Sequence, residues 1–460
     1  MQKQIPRLVI AATQSGAGKT TMTTGLLAAL AARGCRVQSF KVGPDYIDPG
    51  YHQLATGRPG QNLDTWLTPR AALPSAFAGA MAGADLAVIE GVMGLYDGGR
   101  QGISSTAEIA KLLRSPVLLV IDAKSMGASA AALALGFREY DREVQLAGVL
   151  LNRVGSATHE AMLREAMAEI GLPVYGAMGR DAQLQLPERH LGLTPAAENS
   201  ERDAARKAVA AMSRAVTQQV DIEKLLHLAR QAEPLEVEED DARGLEGEPV
   251  CRIAVARDEA FSFYYPASLQ VLERCGARLV YFSPLHDSLL PETDGLLLGG
   301  GFPEMFAARL EQNVSMRKSV RQAAESGMPV YAECGGYMYL LEALQDFAGV
   351  RHEMTGVLPG RAVMTSKLQT VGYIEAVQQR DTVLGREGLV LHGHEFHFST
   401  EQEAAEGARP LRFRRLRNDE CYLAGQCSGN VLASYLHIHF AGCPEAARHF
   451  VEACRKWRQN

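Results

Sequence analysis

A lone cysteine ends the run Met328-Pro329-Val330-Tyr331-Ala332-Glu333-Cys334 and is followed by Gly335-Gly336-Tyr337-Met338-Tyr339-Leu340-Leu341. The order reads as strand, sharp turn and helix, which exposes a nucleophile and leaves room for an acyl adduct beside small neighbours. The N-terminus of the following helix favours the thiolate. Upstream, Leu297-Leu298-Gly299-Gly300-Gly301-Phe302-Pro303-Glu304 follows another strand. Its backbone N–H groups, Gly300 among them, can serve an oxyanion together with that of Gly335. The base has to come from far along the chain. Ala433-Ser434-Tyr435-Leu436-His437-Ile438-His439-Phe440 offers two histidines at strand spacing, on one face. His437 is the favoured base and His439 the other candidate. A carboxylate two residues after the base, common in such sites, is missing because His439 fills that slot. The expected unit is a cysteine–histidine dyad oriented by other groups, and its chemistry is acyl transfer.

A second site stands at the front of the chain. Thr13-Gln14-Ser15-Gly16-Ala17-Gly18-Lys19-Thr20-Thr21 lies between an apolar run and a helical stretch over 22–33. Glycines let such a loop curl its N–H groups around a phosphate, Lys19 reaches the β/γ oxygens and the Thr20 hydroxyl can ligate Mg²⁺. Thr13 occupies the place of the usual first glycine, and the strand–loop–helix context supports the reading despite it. A partition-type ATPase carries a signature lysine near the loop's start, where this chain has Gln14. The next strand ends Phe40-Lys41-Val42-Gly43-Pro44-Asp45-Tyr46-Ile47-Asp48-Pro49, and the third runs Leu86-Ala87-Val88-Ile89-Glu90-Gly91-Val92-Met93-Gly94-Leu95-Tyr96-Asp97-Gly98. Carboxylates at strand ends beside a phosphate loop can hold Mg²⁺ or its waters, and Lys41 can neutralise a transferring phosphoryl group. For Asp48 and Asp97 a solvated turn acid is the competing reading.

The elements that would position these groups form an α/β protein. Short apolar runs over 8–12, 37–41, 86–90, 117–122 and 147–152 alternate with Ala/Leu-rich helical stretches, the pattern of a parallel sheet covered by helices. Sites in such sheets lie at the carboxyl ends of the strands. An acidic stretch over 233–249, bounded by Pro234 and Pro249, reads as a solvated linker. The pattern restarts at 252–257 and continues through 278–282, 295–298 and 328–332. Expected domains are therefore a P-loop parallel-sheet domain over 1–232 and a second α/β domain over 250–460. His392-Gly393-His394-Glu395-Phe396-His397 looks like a metal cluster, but its side chains do not all share a strand face. They read as satisfied or substrate-lining histidines.

Composition agrees with two such domains. The chain has 460 residues, 47% hydrophobic and 22% charged, more than one core usually organises. A net charge of −6 argues against a nucleic-acid binder that works by phosphate neutralisation. No signal peptide or membrane anchor is expected, and eight scattered cysteines without a CxxC pair suit reduced thiols in a cytoplasm.

The ordered set SGAGKTT, FKVGPDYIDPGYH, IEGVMGLYDG, LNRVGS, LLLGGGFPE, AECGGYMYL, GHEFHFS and ASYLHIHF resembles the glutamine-dependent cobyrinic acid a,c-diamide synthases of cobalamin biosynthesis across essentially the whole chain. The resemblance implies a dethiobiotin-synthetase-like ATPase domain followed by a class I glutamine amidotransferase domain lacking the usual glutamate. It implies ATP- and glutamine-driven amidation of the c and then the a acetate of a corrin, with Mg²⁺ as cofactor, ATP as co-substrate and cobyrinic acid and L-glutamine as the other substrates. Gly16, Gly18, Lys19, Thr20 and Thr21 match its phosphate loop, and Thr20, Asp45 and Glu90 its magnesium-binding or phosphoryl-activating positions. Lys41 matches the lysine beside the transferred phosphate, Cys334 the nucleophile. Asp48 and Asp97 sit in motifs near the activated carboxylate, and Ile47 lies where a side chain could influence which carboxylate enters. Asn152 stands where the related fold reads adenine, with a capping role as the alternative. Hydrogenobyrinic acid and nickel-sirohydrochlorin are alternative substrates. A polyanionic corrin requires a locally basic pocket, for which Arg58, Arg100, Arg180, Arg189 and His190 are candidates, and the stretch over 186–193 is expected near it. The sequence leaves the oligomeric state open, a homodimer included.

Overall fold

The computed structural model describes residues 1–181, 184, 188–189, 192–193, 202–238, 248–403 and 409–459. The chain is an α/β protein that divides into two compact units, Met1–Thr65 with Pro69–Asp240 and Trp66–Thr68 with Asp241–Asn460.

Seven parallel strands form the sheet of the first unit: β1 (Arg7–Ala12), β2 (Val37–Val42), β3 (Gln61–Leu63), β4 (Leu86–Glu90), β5 (Val117–Asp122), β6 (Leu146–Val154) and β7 (Val174–Gly179). Their spatial order is β3-β2-β4-β1-β5-β6-β7. Val9, Ala11, Ile89, Leu119 and Ile121 enter one apolar cluster while Leu8, Ile10, Val88, Leu118 and Val120 enter another. Successive residues of a strand point to opposite faces, so both faces of this sheet are buried, as parallel sheets require. That is why its strands read as continuous apolar runs. The five expected strands are all present, two with the expected bounds (86–90 and 117–122) and three extended by one or two residues at an end. β3 and β7 were not expected: β3 has three residues and begins Gln61-Asn62, and β7 is half-buried at both ends.

Helix α1 (Lys19–Ala32) follows β1 through the glycine loop, and α2 (Asp48–Thr56) starts on Asp48-Pro49, a proline placed where it is tolerated. Helix α3 (Arg202–Gln219) packs on α1, with Leu26, Leu30, Met212 and Val216 in one cluster. Gly25 permits the close approach, since a Cβ there would lie 2.7 Å from Val216 Cγ2 and 2.9 Å from Met212 O.

The stretch read as a linker begins inside this unit. Leu235–Glu236 pairs antiparallel with Gln2–Lys3, and Leu235 and Val237 are buried in the core. The two apolar residues in an otherwise acidic segment carry that packing. Residues 239–247 of the stretch lie outside the described residues.

In the second unit the strands are β8 (Cys251–Ala256), β9 (Ala277–Phe282), β10 (Gly295–Leu298) and β11 (Val330–Glu333). Then come β12 (Thr370–Gln378), β13 (Val390–His397), β14 (Leu411–Arg415) and β15 (Cys421–Ala424). The last are β16 (Gln426–Ser428), β17 (Val431–Ser434) and β18 (His437–Ile438). One sheet has the order β9-β8-β10-β11-β17-β16, parallel except for the edge strand β16. A second, β15-β14-β12-β13-β18, is antiparallel, and the short strands Ala343–Gln345, Arg351–Glu353, Arg361–Met364 and Ser399–Gln402 form a third sheet. No helix among the described residues is long and apolar enough to cross a membrane.

Candidate functional site

In the first unit the carboxyl ends of β1, β2 and β4 converge. Gly16 and Gly18 have φ of 76° and 100°, the left-handed region that glycine enters without strain, and the chain turns there into α1. Asn152, at the end of β6, donates from Nδ2 to Ala17 O at 2.9 Å, so its amide props the loop from behind. Lys19 is buried and donates to Met93 O. Burial, with Lys41 adding, lowers its ammonium to about 8. Thr21 follows on α1, half-buried.

Around Thr20 lies a compact charged cluster. Its Oγ1 donates to Glu90 Oε1 at 2.7 Å and lies 3.4 Å from Asp48 Oδ2. Lys41 Nζ bridges Asp48 Oδ2 at 2.6 Å and Glu90 Oε1 at 2.9 Å, and donates to Gly91 O at 3.0 Å. The other Glu90 oxygen is 2.7 Å from His52 Nε2. Burial alone would push Glu90 up, but Lys41 and His52 outweigh it and hold the carboxyl well below the usual range. Burial opposes the Lys41 charge, and Asp48 with Glu90 overcomes it, so the ammonium is held protonated. Burial and Asp45 raise Asp48 against the pull of Lys41. His52 belongs to the stretch FKVGPDYIDPGYH that the sequence singles out, but the sequence alone assigns it no role.

The structure rearranges part of the expected acid set. Asp45 Oδ1 accepts from the N–H groups of Ile47 and Asp48 at 2.7 and 3.0 Å, shaping the turn into α2. Asp48, rather than Asp45, reaches Thr20. Asp97 Oδ2 accepts from Gly94 N at 3.0 Å and shapes its own turn. Ile47 is half-buried and packs against the apolar cluster beneath α1. Among the described residues no group of three or more His, Cys, Asp or Glu forms a metal cage. Thr20, Asp48 and Glu90 nevertheless present hard oxygen donors of the kind Mg²⁺ takes when substrate phosphates supply the rest.

Of the basic candidates, Arg58 turns inward to Gln38 Oε1 and Ala82 O at 3.2 and 2.9 Å. Arg100 lies in an exposed turn. Arg180 is exposed after β7 and donates to Arg153 O at 3.4 Å. Arg189 falls on a two-residue strand. His190, with 186–187 and 191, lies outside the described residues.

In the second unit β11 ends at Glu333, and Cys334 turns with φ 46° and ψ −101°, a strained conformation for a non-glycine residue. Cys334 N donates to Ser434 O at 2.8 Å, which ties the turn to the end of β17. The helix that follows, α4 (Gly335–Leu340), has six residues. It does not deliver the expected thiolate: burial first, then Glu304, pushes the Cys334 thiol up, and the Gly335 N–H only partly opposes this. Burial also raises Glu304 to about 7. The triglycine loop lies against both partners. A Cβ at Gly335 would be 3.0 Å from Gly301 N, and one at Gly300 would be 2.4 Å from His437 Cε1. His437 is buried and stacks on His394, ring centroids 4.9 Å apart. His439 is buried too, but its ring lies 4.9 Å from Tyr265, and its Nδ1 accepts from Ala441 N at 3.2 Å. The loop at Gly300 therefore touches His437. His394 Nε2 is 2.8 Å from Tyr265 Oη and His397 Nδ1 is 2.8 Å from Ser399 O, so both find protein partners. Sequence reasoning missed Glu333, whose Oε2 lies 3.4 Å from His437 Nδ1.

Comparison with known proteins agrees with this division. Residues 8–193 match the family model of the CobQ/CobB/MinD/ParA nucleotide binding domain, and residues 252–444 that of the CobB/CobQ-like glutamine amidotransferase domain. The chain is 44% identical to a cobyrinate a,c-diamide synthase of Dehalococcoides mccartyi, with 98% of each chain covered. It is 46% identical to one of Syntrophotalea carbinolica, over 98% of this chain and 99% of the relative. A hydrogenobyrinate a,c-diamide synthase of Streptomyces coelicolor is 46% identical, over 98% of both. With identity of this order along practically its whole length, the chain belongs to the cobyrinate a,c-diamide synthase family.

Proposed function

We propose that the chain amidates the a and c acetate carboxylates of cobyrinic acid, using ATP and ammonia drawn from glutamine. The observation that supports this most is the pairing, in one chain matched end to end by a,c-diamide synthases, of a phosphate loop and a buried cysteine–histidine site. Cys334 Sγ attacks the side-chain amide carbon of glutamine while its proton passes to His437. The proton then goes to the departing ammonia, leaving a γ-glutamyl thioester that water hydrolyses to glutamate. Because the resting thiol is held protonated by burial, proton transfer has to accompany attack. N–H groups of the Gly300 loop and of Gly335 serve the oxyanion.

In the first unit the loop and Lys19 hold the ATP phosphates. The substrate carboxylate takes the γ-phosphoryl group, releasing ADP, and ammonia displaces phosphate from the acyl phosphate to give the amide. Lys41, held protonated among Asp48 and Glu90, offsets charge on the transferring group. Thr20, Glu90 and Asp48 would hold Mg²⁺, which when bound neutralises charge on the phosphates. Asn152 supports the loop, and Asp45, Asp97 and Ile47 shape the turns next to it.

The Streptomyces relative favours a second reading, the same reaction on hydrogenobyrinic acid. Incubating the protein with ATP, glutamine and, in turn, cobyrinic acid, hydrogenobyrinic acid and nickel-sirohydrochlorin, with products identified by mass, tests both. A product carrying two amides in place of two carboxylic acids from cobyrinic acid is expected. Turnover of hydrogenobyrinic acid alone would select the second reading, and no amidation of any would refute both.

A further inference from the structure

The glutamine site lacks a carboxylate two residues after its base, and the structure offers one from elsewhere. Glu333 ends β11, directly before Cys334, and the residue is buried. Its Oε1 accepts from Tyr331 Oη at 2.9 Å and from Ile438 N at 3.1 Å. Two donors from different strands thus fix the carboxylate, and its other oxygen, Oε2, lies 3.4 Å from His437 Nδ1, within ion-pair reach though not in hydrogen-bond geometry. Register places these groups together: β11 pairs with β17 so that Glu333 faces Ser434, and Cys334 N bonds to Ser434 O, three residues before His437.

We infer that Glu333 is the positioning carboxylate of the glutaminase site, orienting His437 through Nδ1 and leaving the transfer of the Cys334 proton to Nε2. The inference rests on the glutaminase reading above. A carboxylate beside Nδ1 selects the tautomer with the proton on Nδ1 and stabilises the imidazolium that forms when the thiol is deprotonated. The nucleophile and the group that orients its base are here neighbours in the chain. A purely structural rival exists, since the Ile438 N–H bond also ties β18 to β11. The test has to separate the two.

Glu333→Gln keeps the shape and an acceptor for Ile438 N, but removes the charge and offers Nδ1 an amide. Expected are a loss of about 10²-fold or more in kcat for glutamate release with KM changed little, partial recovery in Glu333→Asp, and ammonia-dependent amidation within about two-fold of the parent. Adding Glu333→Gln to His437→Ala should lower glutamate release no further, because one acts through the other. An undiminished kcat in Glu333→Gln, or a further additive loss in the double variant, overturns the inference. So does loss of glutamine- and ammonia-dependent activity together with a lowered melting temperature, which marks a structural role. Cys334→Ala in the same assays guards the underlying reading: if that variant still releases glutamate, the glutaminase assignment itself falls, whereas its inactivity beside a fully active Glu333→Gln sinks only the role of Glu333.

Discussion

A methyl group at Gly300 would stand 2.4 Å from His437 Cε1, a separation neither atom can accept, so the imidazole has to move. Displacements near 1 Å at a reacting group cost about 10²-fold in rate. Gly300→Ala is therefore expected to lose glutamate release to that extent while ammonia-dependent amidation persists, measured side by side; equal rates from both nitrogen sources would contradict the placement of the base. Lys19 makes a different prediction. Burial and Lys41, against Glu90, Asp48 and Asp97, bring its ammonium from the ordinary 10.5 to about 8. Above that pH the empty loop holds a neutral amine, whereas a triphosphate favours the ammonium. ATP binding should then take up a proton, and affinity should fall as pH rises through about 8. Calorimetry at pH 9 in two buffers of different ionisation enthalpy measures it, and zero uptake would reject the shift. These residues differ in how legible they are. Cys334 and Glu90 sit at strand ends and Lys19 at a helix start, each beside a glycine, a pattern visible in the text. Glu333 and His52 act through partners 104 and 38 positions away, and only the fold brings those together.

At the level of elements, α1 and α3 meet where Gly25 leaves room. Alanine in a helix interior is favoured over glycine by roughly 0.5–1 kcal/mol. A Cβ here, however, meets Met212 O at 2.9 Å, a backbone atom that cannot swing aside. Overpacking of this kind costs typically 1–3 kcal/mol, so the clash outweighs the propensity gain. Gly25→Ala should lower the melting temperature of the first unit by a few degrees, read by calorimetry, and an unchanged or higher value would show that the helices part freely. The sequence makes β1, β2, β4, β5 and β6 plain because both faces of that sheet are buried. It does not make β12 and β14 plain, because Glu375 of β12 pairs with Arg414 of β14, and such charges on the strands interrupt the apolar pattern. The start of the acidic stretch misleads in the opposite sense: its composition speaks for solvent, yet Leu235–Glu236 pairs with Gln2–Lys3 and Leu235 and Val237 are buried.

For the whole molecule, the described residues carry two sets of apolar clusters that share no residue between the units. Val9, Leu119, Leu26 and Met212 belong to the first unit, and Val255, Leu298, Val330 and Phe413 to the second. Each unit thus has its own core, and each proposed chemistry has its own sheet. A ligand stabilises the unit that holds it by RT ln(1 + [L]/Kd), about 2.7 kcal/mol at a hundred-fold excess over Kd. For units of this size that corresponds to roughly 5–10 °C. Scanning calorimetry should show two transitions: ATP with Mg²⁺ should raise one, and an electrophilic glutamine analogue that alkylates Cys334 should raise the other. In Cys334→Ala the analogue's effect should vanish while that of ATP stays. Two transitions that always moved together would mean that the cores melt as one, and the assignment of one chemistry to each would lose this support.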